Sequence, residues 1–169
     1  MRTFYRKEIA AAAAIFHLDP LLVEAVVLTE SSGNTDGFRF EPNFWNRYLK
    51  PYKQYVGQNP RRVSSSYGLM QIMYPVAIER GFPKSDAPEK LFVPDVGLYY
   101  GCKHLAFLFE WAKGFADTAE HQQLEAVLAS YNGGRGNNKP TDSPKRNASY
   151  VRKVLANLDI LKKEGATAA

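Results

Sequence analysis

Apolar positions along the chain recur mostly at three- and four-residue steps, the period of a helix, and no stretch of strict alternation stands out. The first such pattern covers about Arg2 to Phe16 and is rich in alanine, the best helix former. The second opens on Asp19 as N-cap with Pro20 at the first helical position, where a missing N–H is harmless, and runs to about Ser31 with Gly33 as its stop. From Gly68, the spacing of Leu69, Ile72, Val76 and Ile78 predicts a helix to Arg80, with Pro75 at a kink or in the first turn and Gly81 and Pro83 past its end. Pro94-Asp95 begins the longest pattern, apolar all round from Val96 to Trp111, which predicts a central buried helix. Two more follow, one over about Gln122 to Tyr131 stopped by Gly133-Gly134, the other from Pro144 to Lys163. The tail, Gly165 to Ala169, is expected to fray. The predicted fold class is all-α or nearly so.

The pattern breaks up between Asn34 and Ser66, where Gly37, Pro42, Pro51, Gly57 and Pro60 alternate with seven aromatic residues from Phe38 to Tyr55. A segment this long without periodicity predicts a functional loop, with room for a short helix near Phe44 to Leu49 and for whatever sheet the fold contains. Its rings either pack a core or line a groove for sugars, whose apolar faces stack on aromatic side chains.

With 169 residues, 23% of them charged and 45% hydrophobic, the chain has the size and balance of one globular domain, and one domain over residues 1–169 is expected. The net charge of +5 favours anionic surroundings, but the basic residues are scattered. The doublets Arg61-Arg62, Lys145-Arg146 and Lys162-Lys163 read as solvated surface, so nucleic-acid binding finds little support. Cys102 stands alone, which excludes an internal disulfide and a thiol-rich metal site and predicts a small buried thiol. His17, His104 and His121 are scattered without ligand spacing, so neither a metal nor a cofactor is expected, and His17 reads as a surface or capping residue beside Asp19. The basic start followed by Ile9 to Phe16 is interrupted by Glu8 and lacks a cleavage site, so it does not read as a leader. No apolar run approaches the roughly 20 residues that span a bilayer. The expectation is a soluble monomer that reaches its place of action by another route or by release.

Glu30 is the first candidate for chemistry. Leu22, Val26 and Glu30 fall at four-residue steps beside Val23 and Val27, so the carboxylate continues an apolar stripe. Burial and the negative end of the helix dipole both disfavour its charged form and push its pKa towards the range of a general acid. On position alone, the same residue could simply leave the core and hydrate.

Three motifs follow in order: Glu30-Ser31-Ser32-Gly33-Asn34, then Ser66-Tyr67-Gly68-Leu69-Met70-Gln71-Ile72-Met73, then Ala129-Ser130-Tyr131-Asn132-Gly133-Gly134. Together they resemble the soluble lytic transglycosylase family of the lysozyme-like superfamily. The resemblance runs from about Ile9 to Leu158 and takes in Leu18-Asp19-Pro20, Pro94-Asp95 and Tyr150-Val151. It implies a helical lysozyme-like lobe with Glu30 as the catalytic residue, and peptidoglycan glycan strands as the partner. Gln71 and Met73 match groove residues that touch glycan, and Tyr131 and Asn132 match residues set beside the catalytic carboxylate. A family serine upstream of Gly-Leu-Met-Gln has three candidates here, Ser64, Ser65 and Ser66, of which Ser66 is preferred. Singly, each position also has an ordinary structural reading: a turn glycine at Gly68, core filling at Met73, a helix stop at Asn132-Gly133-Gly134.

The implied reaction cleaves the β-1,4 bond between N-acetylmuramic acid and N-acetylglucosamine and leaves a 1,6-anhydro sugar. One carboxylate suffices there because the N-acetyl group of the substrate can stabilise the cationic centre. The departure from the family pattern is Gly37-Phe38-Arg39-Phe40-Glu41-Pro42, which puts Glu41 near Glu30 in sequence. Glu41 either pairs with Arg39 or Arg47, or faces the groove and activates water in a hydrolytic muramidase, a role Asp36 could fill more weakly. A non-catalytic glycan-binding or virion component is the other class of reading. Phage lysis, virion entry and wall remodelling in the periplasm all suit such a chain, with the missing leader favouring a phage or accessory enzyme.

Overall fold

In the computed structural model, which describes residues 3–166, the chain forms a helical bundle with a smaller aromatic lobe inserted into it. The bundle consists of α1 (Arg6–Ile15), α2 (Pro20–Ser31), α6 (Pro94–Lys113), α7 (Glu120–Gly133) and α8 (Ala148–Ala166). The lobe lies between α2 and α6 and holds β1 (Phe38–Phe40), α3 (Pro42–Phe44), α4 (Pro60–Val63), β2 (Ser65–Tyr67), β3 (Ile72–Met73) and α5 (Tyr74–Glu79). A π-helical turn, Trp45–Leu49, continues α3, where a short helix was expected.

Helix α2 starts as its sequence predicts: the Asp19 carboxylate accepts from the Leu21 N–H at 2.8 Å and Pro20 follows in the first turn. Its last turn closes on Ser32 with φ 54°, one residue ahead of the predicted stop at Gly33. Leu22 to Leu28 are all buried, with α8 packed along one side. Among them is Glu24, which accepts from the Thr3 N–H at 2.9 Å and pairs with Arg6 at 3.0 Å. A carboxylate this deep is tolerated only because donors meet it, and here they tie the start of the chain to the bundle.

Helix α6 reads as apolar all round because it serves both regions. Leu98, Cys102, Leu105 and Leu108 enter the bundle core, while Val96 and Tyr100 pack against the lobe. Cys102 is fully buried, and desolvation pushes its thiol up to about 12, which makes it the inert core thiol that was expected. No helix of the described residues is long and apolar enough to cross a membrane.

Four expectations need correction. The helix predicted from Gly68 begins only at Tyr74. Gly68 (φ 69°) and Gln71 (φ 47°) make a left-handed turn, and Ile72–Met73 then pair with β2, so Leu69 and Ile72 imitate helical spacing without forming a helix. Gly68 is required there twice over, since a Cβ would lie 2.5 Å from the Leu91 carbonyl oxygen. The last helix begins at Ala148 rather than Pro144, and it continues through Gly165 and Ala166; residues 167–169 of the expected frayed tail lie outside the described residues. Lys145 is not solvated surface: it is buried, and its ammonium donates to the carbonyls of Pro140, at 3.0 Å, and Asp142. Finally, the sheet is not confined to the segment 34–66: β1 and the start of β2 lie in it, while Tyr67 and β3 lie beyond.

Candidate active site

The sheet sorts the lobe's side chains by face. Its order is β1-β2-β3, antiparallel throughout, and the register sets Arg39 opposite Ser66 and Ser66 opposite Met73. Residues directly opposite share a face, so Arg39, Ser66 and Met73 form one row. The alternate row, Phe38, Tyr67 and Ile72, points the other way: Tyr67 and Ile72 are buried in the lobe's core, and Phe38 packs edge-on against Tyr67. The first row lines a groove of about 890 Å³ between lobe and bundle.

Glu30 enters that groove from the other side, at the end of α2. Tyr150, on α8, donates its hydroxyl to Glu30 Oε1 at 2.7 Å. Burial raises the Glu30 pKa above the ordinary carboxylate value; the Tyr150 hydrogen bond and the charge of Arg39 pull the other way but do not cancel it. Burial and the neighbouring Glu30 in turn push the hydroxyls of Tyr150 and Tyr131 well above the usual tyrosine range, so both stay protonated donors.

Each remaining candidate has a defined place. Gln71, Tyr131 and Asn132 line the groove with Glu30. Gln71 sits in its left-handed turn, with Nε2 donating to the Gly68 carbonyl at 3.0 Å. Tyr131 donates to the Met70 carbonyl at 2.9 Å, which fixes its ring beside the Gly-Leu-Met-Gln turn. Asn132 is exposed and accepts from Asn147 at 2.6 Å. Among the three serines, Ser64 donates to the Glu41 carbonyl at 2.9 Å and Ser65 to the Arg61 carbonyl at 2.5 Å. Ser66, one position on, lies in the row that lines the groove.

Glu41 also lines the groove, but its carboxylate is held by Arg39 at 2.5 Å. It is therefore a paired charge rather than a free base. Asp36 is exposed ahead of β1 and does not line the groove. His17 is exposed with φ 54° in the turn before Asp19. No group of three or more His, Cys, Asp or Glu side chains among the described residues could hold a metal ion.

Several groove residues are given no place in the site by the sequence, although the resemblance takes in Tyr150, and Arg39 is named there as a partner for Glu41. Tyr150 lies 120 positions from Glu30, and Arg39 acts on Glu30 only because β1 folds back beside the helix end. His104, Arg80 and Arg135 also line the groove, although each reads as an ordinary helix or turn residue. Only a three-dimensional arrangement of α5, α6 and the end of α7 brings them together.

The second cavity, of about 680 Å³, opens beside the first and shares Phe44, Tyr48 and Glu79 with it. Tyr48 and Tyr52 are about half exposed there. The aromatic segment thus does both things its composition allowed: Tyr55 packs the lobe core, and Tyr48 faces open groove.

Comparison with known proteins agrees with this architecture. The sequence model of the family described as Transglycosylase SLT domain matches residues 7–152. Among solved structures, the chain is similar to an inactive glutamate-to-glutamine mutant of the lytic transglycosylase Slt from Pseudomonas aeruginosa, at 20% identity and a TM-score of 0.66. That likeness is one of fold, covering 95% of this chain and 24% of the other, so this chain spans about a quarter of the protein it matches. No curated protein matches the chain.

Proposed function

The chain belongs to the Transglycosylase SLT domain family, and from that premise we propose that it is a peptidoglycan lytic transglycosylase with Glu30 as its single catalytic acid and base. The observation that carries the reading is one carboxyl at a helix end in an open groove, with burial raising its pKa and a tyrosine hydroxyl 2.7 Å away. A carboxyl whose pKa is raised by burial holds its proton to higher pH and can give it to a glycosidic oxygen.

In this reaction, Glu30 protonates the oxygen linking N-acetylmuramic acid to N-acetylglucosamine, and the C1–O bond breaks. The N-acetyl group of the muramyl unit shields the cationic C1, as in substrate-assisted glycosidases. Glu30, now a carboxylate, accepts a hydrogen bond from Tyr150 and takes the proton of the C6 hydroxyl, whose oxygen closes on C1. The products are a 1,6-anhydromuramyl end and a free N-acetylglucosamine end, and no water is consumed. Gln71 and Met73 line the lobe side of the glycan path, Ser66 faces Glu30 from the sheet, and Tyr131 with Asn132 orients the N-acetyl group.

The pairing of Glu41 with Arg39 favours this reading over a hydrolytic muramidase in which Glu41 is the base that activates water. The same reading makes the chain a monomer acting on the cell wall, in lysis, virion entry or wall remodelling. The test is wall lysis by the Glu30→Gln chain. Loss of general acid and base function is expected to lower the rate by roughly 10²- to 10⁴-fold while circular dichroism stays unchanged. Undiminished lysis by a folded Glu30→Gln chain would overturn the assignment.

A further inference from the structure

Among the described residues, three buried side-chain polar atoms have no hydrogen-bond partner: Arg80 Nε, His104 Nδ1 and Ser130 Oγ. All three residues line the groove that holds Glu30. Buried polar atoms in folded proteins are nearly always paired, so three orphans on one wall mark a place built to meet something else. They are not scattered along the groove either. His104 contacts the Tyr131 ring at 5.5 Å, and Tyr131 lines the groove together with Glu30.

The charge of this wall is positive. Arg80 stacks on the Phe107 ring at 3.6 Å, and Arg135 lies over the same ring at 5.0 Å. The ring holds both guanidinium groups in place, and Arg135 remains exposed. The carboxylate paired with Arg80 is Glu79, at 3.4 Å and itself two-thirds exposed, which neutralises it weakly. His104 is held neutral, its pKa pushed down to about 4 by burial and by the two arginines. It therefore adds a neutral polar atom to the wall and no charge. Ser130 is 2% exposed, and its hydroxyl can donate to a bound oxygen.

Resting on the reading of the groove as a glycan path, we infer that Arg80, Arg135, His104 and Ser130 form a subsite for a carboxylate carried by the muramyl sugar at the cleavage point. A planar guanidinium edge suits a carboxylate, and a serine hydroxyl lining the same groove can donate to an oxyanion. Two sources of that carboxylate exist on a wall strand: the lactyl group itself when the sugar is free of peptide, and the carboxylates of the peptide when it is attached. N-acetylglucosamine units carry neither. The subsite would thus give the groove its register, setting muramyl rather than glucosaminyl units beside Glu30.

The test measures binding to the Glu30→Gln chain, so that no strand is cut. Three oligosaccharides of equal length are compared by calorimetry: peptide-bearing strands, peptide-free strands with the lactyl carboxylate, and N-acetylglucosamine oligomers. The expected result is that at least one anionic strand binds on the order of tenfold or more tighter than the neutral oligomer, and which one it is identifies the source. Arg80→Gln and, separately, Arg135→Gln should bring that ratio towards one. Arg135 is exposed, so its replacement leaves the buried core intact and gives up only its ring contacts with Phe107 and Trp111. Equal affinity for all three oligosaccharides, or an anionic preference that survives both substitutions, would overturn the subsite while leaving the glycan groove standing. Failure of every glycan to bind would instead bring down the proposed function, and the subsite with it.

Discussion

The bundle and the aromatic lobe face each other across the groove and are built on different principles. The bundle core is aliphatic, with Leu98, Leu105, Leu108, Leu128 and Val154 almost wholly buried between long helices. The lobe has elements of two to six residues and is held by rings at edge-on angles, such as Tyr67 against Phe92 at 5.1 Å, and by specific polar ties such as the Tyr67 hydroxyl on the Arg62 carbonyl at 2.5 Å. The difference teaches how labour is divided at the site. The bundle supplies Glu30 and the tyrosine hydrogen-bonded to it, on helices α2 and α8 packed along each other. The lobe supplies the opposite wall, through one face of a small sheet.

Substitutions should separate the two regions. The largest effect on stability belongs to the bundle: Leu105→Ala removes a fully buried side chain from its centre and should cost about 2–5 kcal/mol, seen as a fall in the denaturation midpoint at constant m-value. A loss under about 1 kcal/mol would mean that the bundle is not the stabilising region.

Next in size is Tyr150→Phe. It removes the hydroxyl that steadies the Glu30 carboxylate, and turnover should fall roughly tenfold. The pH profile gives the sharper readout. The acid form starts the reaction, so activity should fall as pH rises through the pKa of Glu30; losing a bond to the carboxylate lifts that pKa further and moves the alkaline limb to higher pH. A limb that stays put would separate Tyr150 from Glu30. Arg39→Gln removes a smaller influence from the lobe side and should move the limb the same way by less.

Linkage gives a companion result in the Glu30→Gln chain. The folded-state pKa of Glu30 is raised, so its contribution to stability is complete below about 4.5 and is lost as pH rises through the raised value. The glutamine variant cannot ionise. It should melt with the parent at low pH and above it at neutral pH, as calorimetry across that window would record; a lower melting temperature at neutral pH would count against a desolvated carboxyl. The smallest effect is expected at the lobe's surface, where Glu89→Gln breaks the exposed pair with Arg62 and should leave the melting temperature within error.

The same contrast explains what could be read from the sequence. Helices α2 and α6 announce themselves by Asp19-Pro20 and Pro94-Asp95 and by long apolar periods, and Glu30 stands out because it ends an apolar stripe. The lobe's strands are two or three residues long, too short for alternation to show. Leu69 and Ile72 even suggest a helix where a left-handed turn and a strand stand. Of the three serines only Ser66 lines the groove: the pleat turns Ser65 to the other face, and Ser64 lies ahead of β2 with its hydroxyl on the Glu41 carbonyl. The resemblance takes in Tyr150 without giving it a role, and Arg39, His104, Arg80 and Arg135 reach the site through tertiary packing, with no local spacing in the sequence that points to them.

Mass spectrometry of peptidoglycan digested by the protein tests the central claim most directly, because the product records whether the C6 hydroxyl or water attacked C1. Glu30 acting as acid and then as base for the C6 hydroxyl predicts muramyl ends in the 1,6-anhydro form, lighter by one water than reducing ends. Reducing-end muramic acid without anhydro sugar would contradict the account and show a hydrolytic mechanism instead.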